Sequence, residues 1–181
     1  QYTYHNAKNA ETFGVELDVR KNLDFIGLRG VSFVCNAAYV YSRVRFEEGA
    51  PERDRPLAGQ SPYLVNAGFF YQYDDKGISA SLLYNRIGKR IESVGVPMQN
   101  QNEDIPDIYE MPRNSLDLTF SKKIGKIVEV KAGIQDMLNS KVEYKQFVKL
   151  TDDKGGKSER EQLIRSYRPG VDINVGVSLR F

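Results

Sequence analysis

The sequence predicts an all-β protein, an antiparallel up-and-down meander of transmembrane-type β-strands that forms a partial or small β-barrel. Two observations predict this fold. Apolar and polar side chains alternate along about seven stretches, and alternation at this period places them on opposite faces of a strand. The connections between these stretches are alternately long and short, which is typical of a sheet with tight turns at one end and extended loops at the other.

The composition excludes several classes of protein. The 181 residues include 26 Lys and Arg and 24 Asp and Glu, and the resulting charge of +2 does not predict a nucleic-acid partner. No run of about eighteen apolar residues occurs, which excludes a spanning helix. The mean hydropathy of -0.50 does not exclude membrane strands, because such strands are half polar. The chain has 11 Tyr and no Trp, and tyrosine suits a membrane interface.

Residues that support catalysis or metal binding are scarce. The single histidine, His5, has no second histidine to form a metal site with, and the single cysteine, Cys35, cannot form an internal disulfide. No nucleophile and base combination, phosphate-binding loop or dinucleotide motif occurs. A calcium site at Asp152, Asp153 and Glu159 is a weak alternative, because their spacing fits no EF-hand loop. We therefore expect no enzyme activity, no cofactor and no metal site.

Four strands are predicted in the first half of the chain. Their apolar faces occupy alternate positions of residues 13–19, 31–41, 65–73 and 78–84. Cys35 falls on one of these faces, where it is expected to act as a small apolar side chain; a reactive thiol is the alternative. The connector 21–30 and the turn 74–77 belong to the end with short connections, although 21–30 is longer than the other turns there. Residues 46–63 form a charged, proline-containing loop.

Three further strands are predicted in the second half, with apolar faces in residues 116–120, 128–134 and 171–181. Residues 89–113 are predicted to form a second long connector, and residues 122–126 a tight reversal. Residues 142–150 and 161–168 are predicted to pair as a protruding hairpin that precedes the last strand. Long and short connections therefore alternate along the chain, and a sandwich with Greek-key crossings has no reason to sort its loops in this way.

The last predicted strand has a pattern of its own. Val175, Val177, Leu179 and Phe181 lie on its apolar face, and the strand ends on the aromatic residue. This arrangement resembles the insertion signal of bacterial outer-membrane β-barrels. A strand of a soluble β-sandwich alternates in the same way, so this strand alone leaves both explanations open.

Four segments of the chain carry a family resemblance. They are residues 9–17 (NAETFGVEL), 55–68 (RPLAGQSPYLVNAG), 83–91 (LYNRIGKRI) and 135–139 (QDMLN). Together they resemble the C-terminal part of a TonB-dependent outer-membrane receptor, of the kind abundant in Bacteroidetes. The segment that begins at residue 55 is the most specific of the four.

The resemblance implies a barrel of many strands, filled by an amino-terminal plug that binds TonB. Because about seven strands are predicted and no plug is recognised, residues 1–181 are expected to be a single β-barrel segment. This segment would be the C-terminal part of a larger barrel whose plug and N-terminal strands are absent. The implied location is the outer membrane of a Gram-negative bacterium. The implied partners are outer-membrane lipid, the barrel-assembly machinery and an unknown small ligand, with TonB contacted only through the absent plug.

The proline-rich part of the first long loop is a candidate site. It comprises Arg55, Pro56, Gly59, Gln60, Ser61, Pro62 and Tyr63. Pro56 and Pro62 restrict the backbone on either side of Gly59, which predicts a stiff return from the loop to the next strand. The alternative is that Arg55 and Gln60 contact a ligand or the plug.

Three hypotheses for the function follow. The first is that the chain supplies barrel wall and extracellular loops of a TonB-dependent receptor that imports a scarce nutrient, with the ligand first met by residues 46–63, 89–113 and 138–168. The second is a small self-contained outer-membrane barrel with an adhesive or structural role. The third is a soluble β-sandwich that acts as a binding module. Dependence of folding on detergent separates the third hypothesis from the first two.

Overall fold

The computed structural model describes residues 6–98, 104–151 and 156–180, and it confirms an all-β antiparallel fold. The strands are β1 (Asn9–Asn22), β2 (Val31–Arg45), β3 (Tyr63–Tyr73), β4 (Ile78–Ile87), β5 (Arg90–Ser93), β6 (Ile108–Glu110), β7 (Arg113–Ile124), β8 (Val128–Gln135), β9 (Val142–Thr151), β10 (Lys157–Tyr167) and β11 (Asp172–Leu179). Two short 3₁₀ turns, Asp24–Ile26 and Asp74–Lys76, accompany them. A helix with the length and apolarity to cross a membrane does not occur in these residues.

Seven strands form one antiparallel sheet, in the order β1-β2-β3-β4-β7-β8-β11. These are the seven strands predicted above, so the meander is confirmed. Two of the tight turns at one end depend on glycines in the left-handed region, Gly77 with φ 58° and Gly125 with φ 62°. The sheet is not closed into a barrel, because β1 pairs with β2 and β11 with β8, and the described residues give these two edge strands no other partner.

The remaining strands form a second antiparallel sheet of four strands, in the order β10-β9-β6-β5. The predicted hairpin is confirmed as β9 and β10. The connector 89–113, predicted as a long loop, also contributes the short strands β5 and β6. Sequence alternation does not reveal them, because strands of 4 and 3 residues are too short to show a period.

The apolar sides of the large sheet line up into one continuous face. Strand register places Phe33 beside Phe69, Phe69 beside Leu82, Leu82 beside Leu118, Leu118 beside Ile134 and Ile134 beside Ile173. Neighbouring rows of the same face are also apolar, for example Cys35, Ala67, Tyr84 and Leu116. The face is open rather than packed, with exposed fractions of 65% for Phe13, 47% for Phe69 and 73% for Val175, while Leu118 is half-buried.

In the part of the chain that the structure describes, the large sheet covers no apolar core. Among the described residues, Val44, Ile91 and Val142 are the buried hydrophobic side chains, and they lie near the long loops rather than beneath the sheet. The chain exposes 13167 Å², whereas a compact folded protein of this mass exposes about 8,900 Å². The alternation along these strands is therefore not the inner face of a β-sandwich, which would be buried against a second sheet.

The opposite face of the large sheet is mostly polar, with Phe70 and Leu83 as apolar exceptions, and its polar side chains bond to one another across the strands. Asn36 Nδ2 donates to Glu16 Oε1 at 2.7 Å, and Asn85 Nδ2 donates to Asn66 Oδ1 at 2.5 Å. Hydroxyl pairs continue the pattern at Ser79 with Ser121 (2.7 Å) and Ser81 with Thr119 (2.6 Å). Short polar side chains that bond to one another are typical of a barrel interior, and this face also carries exposed long charged side chains such as Lys131.

Candidate functional site

Tyrosines border the apolar face at both ends of the strands. Strand register aligns Tyr39 with Tyr63 near the long loops, and Tyr71 and Tyr73 lie near the tight turns. Between them, β3 carries Val65, Ala67 and Phe69 on the same face. Tyrosine has an apolar ring and a polar hydroxyl, so it is favoured where hydrocarbon meets water.

The height of this apolar band can be worked out from β3. Tyr63 and Tyr73 are the ends of a strand of 11 residues, which spans about 33 Å at roughly 3.3 Å per residue. At a tilt of about 45° that length corresponds to about 23 Å along the barrel axis, close to the apolar band of about 25 Å in membrane barrels. Tyr84 lies within this band, and its hydroxyl has a hydrogen-bond partner because it donates to Asn114 Oδ1 at 2.8 Å.

The predicted insertion residues lie on this face at the sheet edge. Val175, Val177 and Leu179 are all exposed on β11, and register aligns them with Ala132, Val130 and Val128 of β8. Phe181 lies outside the described residues. Recognition of this strand by an assembly machinery stays a prediction.

The three long connections leave the large sheet at the same end, after β2, β4 and β8. The buried side chains collect there and link the connections to the sheet: Val44 on β2, Ile91 on β5 and Val142 on β9. The first and second connections are joined directly, because Gly59 N donates to the carbonyl of Ile91 at 2.8 Å. The loops named in the first hypothesis therefore form one connected platform.

A second contact between the loops is ionic. Arg53 of the first connection binds Asp104 of the second through both guanidinium nitrogens, at 2.5 and 3.2 Å. Within the first connection, Phe46 N donates to Asp54 at 3.2 Å, and this hydrogen bond together with the Arg43 guanidinium lowers the pKa of Asp54. These pairs lie at the surface, so each contributes to loop order more than to overall stability.

The predicted loop motif lies against the large sheet, and its two ends, at Arg55 and Pro62, both form hydrogen bonds with β2. The backbone of Arg55 pairs with Val44 at 2.8 and 3.2 Å, and its guanidinium lies 5.6 Å from the ring of Phe46. Pro56 follows Arg55, and its carbonyl accepts from Arg55 Nη1 at 3.5 Å. Gly59 has φ 79°, which a side chain would strain.

The second half of the motif returns the chain to β3. Gln60 Nε2 donates to the Ser61 carbonyl at 2.8 Å, and the buried Ser61 hydroxyl donates to the Tyr63 carbonyl at 2.7 Å. The Pro62 carbonyl accepts from Val40 N at 2.9 Å, which joins the loop to β2. Both Gln60 and Ser61 thus bond to their own loop, an arrangement that favours the stiff-return role over ligand contact.

The segment 135–139, one of the four that carry the family resemblance, forms a tight turn after β8. Asp136 and Asn139 have positive φ, 53° and 42°, and Asp136 N donates to Asp117 Oδ1 at 2.8 Å. Arg113 forms an ion pair with Asp136. Asn139 accepts from Gly170 N at 3.1 Å, so this turn ties together the ends of β7, β8 and the chain that enters β11. Asp and Asn tolerate positive φ better than most residues, which suits them to these two positions.

An aromatic clamp in the second sheet was missed entirely by the sequence analysis. Lys89 Nζ lies 4.1 Å from the ring centre of Tyr109 and 3.9 Å from that of Phe147, and the two rings meet edge to face at 5.8 Å. Burial raises the pKa of Tyr109, and Asp107 adds to this effect. Lys89 lies between β4 and β5, Tyr109 on β6 and Phe147 on β9, so no local pattern could have brought them together.

No group of three or more His, Cys, Asp or Glu side chains that could hold a metal ion occurs in residues 6–98, 104–151 and 156–180. Asp152 and Asp153, part of the weak calcium alternative, lie outside these residues. Cys35 is half-buried between Val19 and Ala67 on the apolar face.

The fold and these surfaces define a class of structure: an antiparallel meander with an exposed apolar band, a polar opposite face and a platform of long loops. The chain is 25% identical over 152 residues to Transferrin-binding protein A of Haemophilus influenzae. The match covers 76% of this chain and 16% of that protein, so the chain spans about a sixth of that relative's length. No family model matches the chain, and no solved structure matches it significantly.

Proposed function

We propose that the chain forms barrel wall and extracellular loops of an outer-membrane receptor that imports a scarce nutrient, and that TonB energises this import through a plug elsewhere in the protein. The observation that carries the proposal is the continuous, exposed apolar face across seven strands. Hydrocarbon is the environment that such a face requires, because an open apolar area of this extent is costly in water.

Three further observations support the receptor part of the proposal. The polar face has the short, mutually bonded side chains of a barrel interior. The long connections gather at one end, where specificity in such proteins is carried by loops. The similarity to part of a transferrin-binding protein fits a role in nutrient acquisition.

The open edges of the large sheet bear on the other hypotheses. A self-contained barrel needs its first and last strands to pair, whereas the described parts of β1 and β11 pair with one neighbour each. Unpaired edges favour a larger barrel in which additional strands continue the sheet. A soluble sandwich is disfavoured by the missing core.

The single cysteine provides a direct test of the orientation. A fluorophore on Cys35 should sit in hydrocarbon when the full chain is folded into phosphatidylcholine vesicles, because Cys35 lies on the apolar face. Lipids with a nitroxide on the acyl chain should therefore quench it strongly. The matched control carries Cys35→Ala with Val34→Cys, since residue 34 points to the opposite face.

At position 34 we expect weak quenching by the nitroxide lipids. Equal quenching at the two positions, or a labelled chain that stays folded and monodisperse in buffer without lipid or detergent, would contradict the proposal. The second outcome would return the soluble binding module as the better explanation.

A further inference from the structure

The hairpin of β9 and β10 has two chemically different faces. One face, here called the arginine face, carries Tyr144, Gln146, Val148 and Leu150 on β9 and Ser158, Arg160, Gln162, Arg165 and Tyr167 on β10. The other, here called the ion-pair face, carries Glu143, Lys145, Phe147 and Lys149 on β9 and Glu159, Glu161 and Leu163 on β10. In the described part of the hairpin, all carboxylates lie on the ion-pair face.

The ion-pair face satisfies its own charges. Lys145 Nζ lies 2.7 Å from Glu161 and 3.4 Å from Glu143. The bond to Glu161 raises the pKa of Lys145, with a further contribution from Glu143. Phe147 on the same face is in contact with Lys89. Lys149 and Glu159 remain exposed on this face, where register sets these opposite charges beside each other.

The arginine face is open, and the carboxylates of the described residues do not neutralise its arginines. Arg160 and Arg165 are exposed, and neither forms an ion pair with any residue that the structure describes. The guanidinium of Arg165 lies over Tyr144 at 4.1 Å and near Tyr167 at 5.9 Å, which holds it in place without neutralising it. Glu110, which register places on this face in β6, is already bound by Arg90 at 2.7 and 2.9 Å.

The composition of the arginine face is that of a protein-binding surface. Tyrosine and arginine are enriched at the centres of protein interfaces, whereas lysine and glutamate are depleted there. Val148 and Leu150 lie beside Arg160 and Gln162 in an open trough rather than an enclosed pocket. Small ligands bind in concave pockets that bury most of their surface, so an open face suits a macromolecule better.

We propose that the arginine face binds an acidic segment of a partner protein. The segment's carboxylates pair with Arg160 and Arg165, and its apolar side chains cover Val148, Leu150 and Tyr167. Because a bulge in β10 takes up one residue, the two arginines are four strand positions apart in register, about 13 Å, which is a separation that a peptide spans and a small anion does not. This inference rests on the proposed function, because the loop end must face the outside of the cell to meet the partner.

The test uses the full chain in detergent micelles and an array of 12-residue peptides of known sequence. We expect the bound peptides to share two carboxylates four or five residues apart with apolar residues between them. Arg160→Glu and Arg165→Glu should each weaken binding of these peptides at least tenfold. Lys149→Glu, an equal change of charge on the exposed part of the ion-pair face, should change it less than twofold.

Several results would overturn the inference. They are an absence of acidic peptides among those bound, equal loss of binding with Lys149→Glu, or arginine-dependent binding to phosphatidylglycerol vesicles without peptide binding. Far-UV circular dichroism of each variant verifies folding. Lipid quenching at Cys35 in the same variants keeps the two proposals apart, because it reports membrane insertion and does not depend on the hairpin.

Discussion

Placing a charge in the middle of the apolar band is the most direct perturbation of this structure. Ile134 lies on β8, an interior strand of the large sheet, and register sets it between Leu118 and Ile173. Its neighbour Gln135 points to the polar face and is exposed. Ile134→Arg and Gln135→Arg therefore introduce the same side chain at adjacent positions on opposite faces.

The expected cost follows from the depth of the site. Ile134 is six residues beyond Val128, the residue with which β8 leaves the tight turn. That separation is about 20 Å along the strand and about 14 Å along the barrel axis at a 45° tilt, near the middle of the apolar band. If the apolar face lies in lipid, as proposed, arginine at this depth costs about 2–4 kcal/mol, whereas a substitution on the polar face at Gln135 should stay within about 0.5 kcal/mol.

The assay is urea titration of the full chain folded in phosphatidylcholine vesicles, monitored by far-UV circular dichroism. Ile134→Arg should lower the free energy of unfolding by the amount above, and Gln135→Arg should leave it nearly unchanged. Equal effects of the two substitutions would refute the orientation of the sheet. A gain in stability of Ile134→Arg in detergent-free buffer would refute the lipid-facing band itself.

Three further predictions concern the loop platform. Lys89→Met should lower the local stability of the second sheet by about 1 kcal/mol, because it removes the cation from between two rings. Lys89→Arg should keep that stability, and amide exchange in β6 measures both variants. A Cβ at Gly95 would lie 1.9 Å from the carbonyl oxygen of Ile105, so Gly95→Ala should open the adjacent backbone pairing by about 1–3 kcal/mol, seen as faster local amide exchange with unchanged circular dichroism. The pKa of Asp54 is lowered in the folded loop, so its stabilising effect is complete at neutral pH and is lost as pH falls below the ordinary carboxyl value of about 4. Exchange of the Phe46 amide should follow this titration, and Asp54→Asn should abolish it.

The long strands were predictable because their period is visible over many residues. In β1, of 14 residues, Phe13, Val15 and Leu17 alternate with polar neighbours, and the structure places them on one face with Tyr39 and Tyr41 of β2. Burial or lipid exposure of one face imposes the period, and a slip of one residue would invert every side chain. For the large sheet, strand number, order and facing could therefore be read from local patterns.

The second sheet and its contacts were not predictable in the same way. β5 and β6 have 4 and 3 residues, and their pairing depends on β9, more than thirty positions later in the chain. The clamp around Lys89 and the sorting of charge on the hairpin are set by that pairing. A bulge between Leu163 and Arg165 places both Arg160 and Arg165 on the arginine face, although they differ by an odd number of positions.

The sequence by itself determined that this chain makes an antiparallel meander of seven two-faced strands, with its loops sorted by length. Only the tertiary structure decided that the apolar faces join into one open surface without a core, that the long loops connect into a platform, and that a second sheet forms among them. The physical reason is the range of the interactions. Alternation along a strand is a local property of the backbone, whereas register, burial and the meeting of distant loops depend on which parts of the chain pair in space.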